Sequence, residues 1–160
     1  MKKIFFLLIA SLLFNACASS KKIAHVSKKP KTKVDRIIAT ALQYKGVNYK
    51  FGGTTRKGMD CSGLVYIAFG QENIQLPRIS RNMAKKGRKI SLKNAKKGDL
   101  VFFKISRRSN KINHVGLVTS IKNGVIYFIH ATTSRGVIVS SLSEKYWKKN
   151  FVKATTILKK

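Results

Sequence analysis

The sequence predicts an α+β domain in which helices come first and an antiparallel sheet follows. Three observations predict it. Apolar residues recur at helical spacing over 34–42 and again over 64–69; from Leu100 onward, runs rich in β-branched and aromatic residues alternate with turn residues; and no segment repeats. With 160 residues and 44% hydrophobic content, the chain carries enough apolar side chains for one core without disulfide or metal staples.

Residues 1–16 form an appendage. Lys2 and Lys3 precede an apolar run from Ile4 to Phe14, and Ala16 is a small residue directly before Cys17. This is the pattern of an export signal, because eleven apolar-rich residues fall short of the roughly 20 that a membrane-crossing helix requires. A cysteine in that place resembles the lipobox of bacterial lipoproteins, which implies lipidation of Cys17; Phe14 stands where a leucine is usual. The alternative is ordinary cleavage near Ala16 or Ala18. Residues 17–33 then read as the lipidated N-terminus and a flexible basic tether containing Pro30, and 34–160 as the folded domain.

Val34, Ile37, Ile38, Ala41 and Leu42 share one face of a helix that Gly46 closes. Residues 47–59, with three glycines and two threonines, read as loop or irregular extended chain. Leu64, Val65, Ala68 and Phe69 restore a helical face, and Asp60 is suited to cap its start, which puts Cys61 in the first turn. A short helix is expected near Ser80 to Lys86. Strands are expected at Leu100 to Ile105, Ile112 to Ile121, Val125 to Ala131, Val137 to Ser140 and Phe151 to Leu158, with a short helix over Ser143 to Asn150.

The 34 basic residues outnumber the five acidic ones and give a net charge of +29, a field that attracts polyanions. Export and the dispersed placement of the cations argue against nucleic acid and for anionic lipid headgroups or an anionic cell-envelope polymer. If Cys17 carries lipid, Cys61 is an unpaired thiol in an oxidising compartment, which asks for a chemical reason. At a helix start it faces free backbone N–H groups and the positive end of the dipole, which favour thiolate.

Of the three histidines, His25 lies in the tether, whereas His114 and His130 lie in adjacent expected strands. Parity decides whether their imidazoles share a face. A three-residue Lys122-Asn123-Gly124 loop would pair Gly116 with His130 and put both on one face; a two-residue Asn123-Gly124 turn would pair Leu117 with His130 and separate them. Cooperation between the histidines therefore predicts the three-residue loop. A zinc site made of Cys61, His114 and His130 is the alternative, but none of the short paired spacings of structural zinc is present, so neither a metal nor another cofactor is expected.

Three stretches, "YKFGGTTRKGMDCSGLVY" (Tyr49 to Tyr66), "NHVGLV" (Asn113 to Val118) and "FIHATTSRGVIVSSL" (Phe128 to Leu142), together with "LPR", "GDLVFF" and "YWKKNF", resemble the NlpC/P60 family of cell-wall cysteine peptidases from about Val34 to the C-terminus. The resemblance implies a papain-like fold with N-terminal helices packed on a central antiparallel sheet. It implies Cys61 as nucleophile, His114 as general base and His130 as the residue that orients it, with Tyr49, Asp60 and Ser62 lining the pocket for the substrate's peptide stem. The chain departs from the family pattern around Met83, where a polar residue is usual, and in a longer hairpin between the histidines.

The expectation is a lipid-anchored, monomeric peptidoglycan endopeptidase of the bacterial cell envelope, at the outer membrane facing the periplasm, cutting next to a diamino acid. A catalytically silent wall-binding or scaffold lipoprotein is the alternative, and polyanion binding as the main role is a third.

Overall fold

A computed structural model describes residues 32–106 and 108–158. The export signal, Cys17 and nearly all of the tether lie outside them.

Helix α1 (Lys33–Leu42) begins one residue before the apolar stripe because Thr32 and Asp35 form a reciprocal capping box: the Thr32 hydroxyl accepts from the Asp35 N–H, and the Asp35 carboxylate accepts from the Thr32 N–H. Ile37, Ile38 and Ala41 are buried as expected, whereas Leu42 is 41% exposed at the fraying end. The loop expected over 47–59 contains a two-stranded hairpin, β1 (Thr54–Thr55) and β2 (Gly58–Met59), too short to leave a periodic signal.

Helix α2 (Cys61–Gly70) is buried on nearly every side, so its apolar residues surround the helix rather than form a stripe. Helix α3 (Ser80–Met83) follows, with Met83 wholly buried; its apolar side chain fills core where the family pattern has a polar one.

The sheet has six antiparallel strands: β3 (Arg88–Ile90), β4 (Leu100–Phe103), β5 (His114–Lys122), β6 (Val125–Thr132), β7 (Gly136–Ser141) and β8 (Phe151–Thr156). Their order across the sheet is β3-β8-β4-β5-β6-β7. Strand β3 and a short 3-10 turn over Leu92–Asn94 carry too many lysines and polar residues to show from the sequence. Helix α4 (Lys145–Asn150) precedes β8.

Alternation along the strands gives the sheet two apolar faces. Val115, Leu117, Ile129 and Ala131 pack on one side with α2 and, beyond it, α1. Val118, Phe128 and Phe103 pack on the other with Trp147 of α4. Among the described residues no helix is long and apolar enough to cross a membrane.

Register between β5 and β6 decides the geometry of the histidines. Lys122 pairs with Val125, so the turn has two residues, Asn123 and Gly124, both at positive φ (49° and 76°) as a tight hairpin turn requires. The expected three-residue loop is therefore not formed. A bulge between Val118 and Ser120 takes up Thr119 as the extra residue, and beyond it Leu117 pairs with Ile129. Continuing that register sets Gly116 opposite His130, the pairing that places both histidines on one face. The two-residue turn and the bulge together give the parity that the longer loop would have given alone.

Candidate active site

The start of α2, where Cys61 lies, is built by Asp60. Its backbone is extended at the N-cap of α2, and its Oδ1 accepts from the Gly63 N–H at 2.6 Å, which fixes the first helical turn. The same carboxylate accepts from the Ser62 hydroxyl at 3.1 Å and from Arg78 in a fork, Nη1 to Oδ1 at 2.9 Å and Nη2 to Oδ2 at 2.7 Å. Oδ2 also accepts the Gly52 N–H at 2.8 Å, and Arg78 reaches on to the Gly53 carbonyl and the Ser62 hydroxyl. Residues 52–53, the helix start and the residue after "LP" are thereby tied to one ion pair. Gly63 has to be glycine here, since a Cβ would overlap the Gly53 carbonyl oxygen.

Asp60 stays ionised. Burial works against its charge, but the bonds from Arg78 and then from the Gly63 N–H outweigh burial and lower its pKa. Both of its oxygens are fully engaged, so it presents no free carboxylate.

Cys61 is 8% exposed and unpaired. Its sulfur lies against the backbone N–H of Val115, the residue after His114, and against those of Ser62 and of Cys61 itself. Pairing between β5 and β6 begins at Leu117, so Val115 and His114 lie beyond the end of that ladder while still pairing with Phe102 and Phe103 of β4. The N–H groups favour thiolate, as expected at a helix start, but burial prevails and Asp60 adds to it, and the thiol is pushed up to about 11.

His114 Nε2 and His130 Nδ1 lie 2.9 Å apart, and His130 Nε2 lies 3.0 Å from Ser140 Oγ. Trp147 stacks on His114 at 5.3 Å with an interplanar angle of 19° and meets His130 edge-on at 4.5 Å, so it walls the pair from solvent. Burial pulls His114 down to about 4. Burial and then the neighbouring His114 and Arg135 pull His130 to about 2. Both rings are neutral near pH 7. Their nitrogens point at each other rather than at a common centre, and among the described residues no group of three or more His, Cys, Asp or Glu is placed to hold a metal ion.

Tyr49 bridges to Met59 and packs on the core below Cys61. Burial, followed by the charges of Cys61 and Asp60, raises its phenol pKa against the opposing effect of Arg78, which places the ring in the same neighbourhood. The structure thus brings together Cys61, Asp60, Ser62 and Tyr49 around the helix start and pairs His114 with His130 on the strands beside it. Arg78, Ser140 and Trp147 were not singled out as site residues from the sequence. Ser140 was findable, since parity in the β6–β7 hairpin places it on the histidine face.

A thiol at the start of a helix laid on an antiparallel sheet, with imidazoles on that sheet, defines a papain-like α+β domain. The chain belongs to the NlpC/P60 family, whose model matches residues 46–156. It is 40% identical over 124 residues to "Murein DD-endopeptidase MepS/Murein LD-carboxypeptidase" of Escherichia coli, covering 77% of this chain and 62% of that protein, so the match spans less than two thirds of that relative. It is 38% identical over 159 residues to "Probable endopeptidase NlpC" of Escherichia coli, covering 94% of this chain and 97% of that one. The crystal structure of an NlpC/P60 family protein from Bacillus cereus superposes with a TM-score of 0.72 at 26% identity, covering 81% of this chain and 42% of the other.

Proposed function

We propose that this chain is a peptidoglycan endopeptidase that hydrolyses peptide bonds of stem peptides or cross-links next to a diamino acid, with Cys61 as nucleophile. The observation that carries the reading is Cys61 at the buried start of α2, which packs on β5 and β6, the strands whose His114 and His130 meet at 2.9 Å. The names of the two Escherichia coli relatives support the substrate class.

Burial works against charge on both Cys61 and His114, which favours transfer of the thiol proton during attack. The sulfur attacks the peptide carbonyl while its proton passes to Nδ1 of His114, the ring nitrogen that His130 does not occupy. Backbone N–H groups at the start of α2 stabilise the oxyanion. The imidazolium then gives its proton to the leaving amine, and water drawn against His114 hydrolyses the thioester. His130 orients His114 by its bond to Nε2. Asp60 and Ser62 shape the stem pocket as parts of the Arg78 network, with Tyr49 at its wall.

The charge suits an anionic polymer. All five acidic residues are committed to hydrogen bonds within the fold: Asp35 at its cap, Asp60 to Arg78, Glu72 to Arg36, Asp99 to the Lys96 N–H and Glu144 to the Ser141 N–H. A surface depression away from Cys61 is rimmed by Arg88, Lys93, Lys96 and Lys97. A cell-envelope location follows from this substrate, and lipidation at Cys17, with anchoring at the outer membrane, is the part of the reading that rests on the N-terminal sequence alone.

The test is digestion of purified cross-linked muropeptides by the full chain in detergent, with mass identification of products. Dimers converted to monomers place the cut at the D-Ala to diamino acid bond, and shortened stems place it at the D-Glu to diamino acid bond. Unchanged muropeptides with a folded, reduced protein overturn the reading in favour of a wall-binding lipoprotein.

A further inference from the structure

Beyond His130 the hydrogen-bonded line continues to a residue with no assigned role. Ser140 on β7 is 4% exposed, its Oγ is 3.0 Å from His130 Nε2, and it lies diagonally across from His130, whose direct partner is Ile138. His130 is wholly buried, so the bonds to His114 and Ser140 occupy both of its nitrogens.

A neutral imidazole has one N–H and one acceptor nitrogen, and this makes the line directional. If Ser140 accepts from Nε2–H of His130, then Nδ1 of His130 accepts from Nε2–H of His114, and Nδ1 of His114 carries a free lone pair. If Ser140 donates instead, His130 carries its proton on Nδ1 and gives it to Nε2 of His114. The His114 proton then sits on Nδ1, and that nitrogen has no lone pair for the Cys61 proton. A hydroxyl can serve either direction, but only the first leaves a base.

We propose that Ser140 is a positioning residue, whose hydroxyl accepts the Nε2–H of His130 and so holds both imidazoles in the tautomer that leaves a free lone pair on Nδ1 of His114, the nitrogen to which the peptidase reading assigns the Cys61 proton. This deepens, and rests on, the peptidase reading. The bland alternative is a hydroxyl that merely satisfies a buried ring; it would affect folding without setting which nitrogen of His114 is protonated.

The experiment compares the full chain with its Ser140→Ala and Ser140→Thr variants by imidazole 15N chemical shifts at pH 7 and by kcat and KM on muropeptides. Expected are Nε2–H tautomers for both His114 and His130 in the parent and mixed tautomers in Ser140→Ala. In that variant kcat falls about tenfold with KM within about twofold, as for the loss of one buried hydrogen bond acting on the base. Ser140→Thr restores both signatures. A parent with the proton on Nδ1 of His114 overturns the proposal, as does Ser140→Ala with unchanged tautomers and kcat. Should the parent cleave no muropeptide, the functional reading fails, while the 15N shifts still decide whether Ser140 sets the tautomer.

Discussion

Nε2 of His114 and Nδ1 of His130 meet at 2.9 Å across a hairpin whose two-residue turn would by itself set them on opposite faces. The bulge absorbs Thr119 as the one surplus residue of the ladder, so the register beyond it brings both histidines to one face. Removing Thr119 would leave Val118 opposite Phe128 and Ser120 opposite Tyr127, now in regular pairing. Deletion of Thr119 is therefore expected to keep the His114–His130 contact and to leave kcat on muropeptides within about threefold of the parent, the lost Thr119 hydroxyl bond to the Tyr127 carbonyl being a minor term. A loss of a hundredfold or more would show that the bulge itself shapes the site.

The pH dependence of stability follows from the buried groups. His114 and His130 are depressed from 6.5, so the unfolded chain binds protons that the native one refuses; their contribution is full above pH 6.5 and is lost as the pH falls toward 4. Cys61 is raised from 9.0 to about 11, so its contribution is full below pH 9 and is lost as the pH climbs to 11. Asp60, lowered from 3.8, adds a further loss in strong acid. Urea unfolding across pH should show a plateau between these limits, and His114→Asn should lessen the slope between pH 4 and 6.5, with the remainder carried by His130.

Arg78 is expected to be worth more than a surface cation. Its removal leaves a largely buried carboxylate with fewer donors, and Arg78→Ala should cost about 2–3 kcal/mol in urea unfolding. Arg78→Lys should recover only part of that, because an ammonium cannot span Asp60, Ser62 and the Gly53 carbonyl together. Equal stability of the three proteins would contradict the bracing role.

Thr155 on β8 is wholly buried and its hydroxyl has no hydrogen-bond partner. Exchanging that hydroxyl for a methyl keeps the shape and removes an unsatisfied polar atom, so Thr155→Val should stabilise the fold by about 1 kcal/mol and raise Tm by a few degrees. A lowered Tm would mean that the hydroxyl is satisfied in solution.

The excess of positive charge should act on encounter more than on chemistry. Turnover of intact, anionic wall material is expected to fall as salt rises from about 0.05 to 0.5 M, while kcat on small soluble muropeptides changes little. Parallel loss in both assays would place the salt effect in the site itself.

Much of this architecture was legible in the sequence. The Asp60 cap, the Cys61 helix and five of the six main strands show through periodicity, because α2 and the central strands bury apolar residues at regular intervals. Strand β3 and the hairpin over 54–59 do not, since Arg88, Lys89 and the threonines pack at edges where no alternation is imposed. The pairing of His114 with His130 was readable as parity, but the means was not: a bulge at Thr119 has no composition signature. Helix-start electrostatics favour a thiolate at Cys61, whereas burial, which raises the thiol, depends on packing around the sulfur that local sequence does not encode. Arg78, 18 residues after Asp60, and Trp147 on α4 become part of the site through tertiary contacts that local sequence does not encode.

The most direct measurement is rapid quenching of the full chain with a stem-peptide substrate, followed by intact-mass and peptide-level mass spectrometry. The account predicts a transient acyl adduct on Cys61 that rises before product release and is absent in Cys61→Ala, whose turnover falls at least about a thousandfold. Turnover that survives in Cys61→Ala, or product formed without any adduct on Cys61 under conditions that trap thioesters, would contradict it.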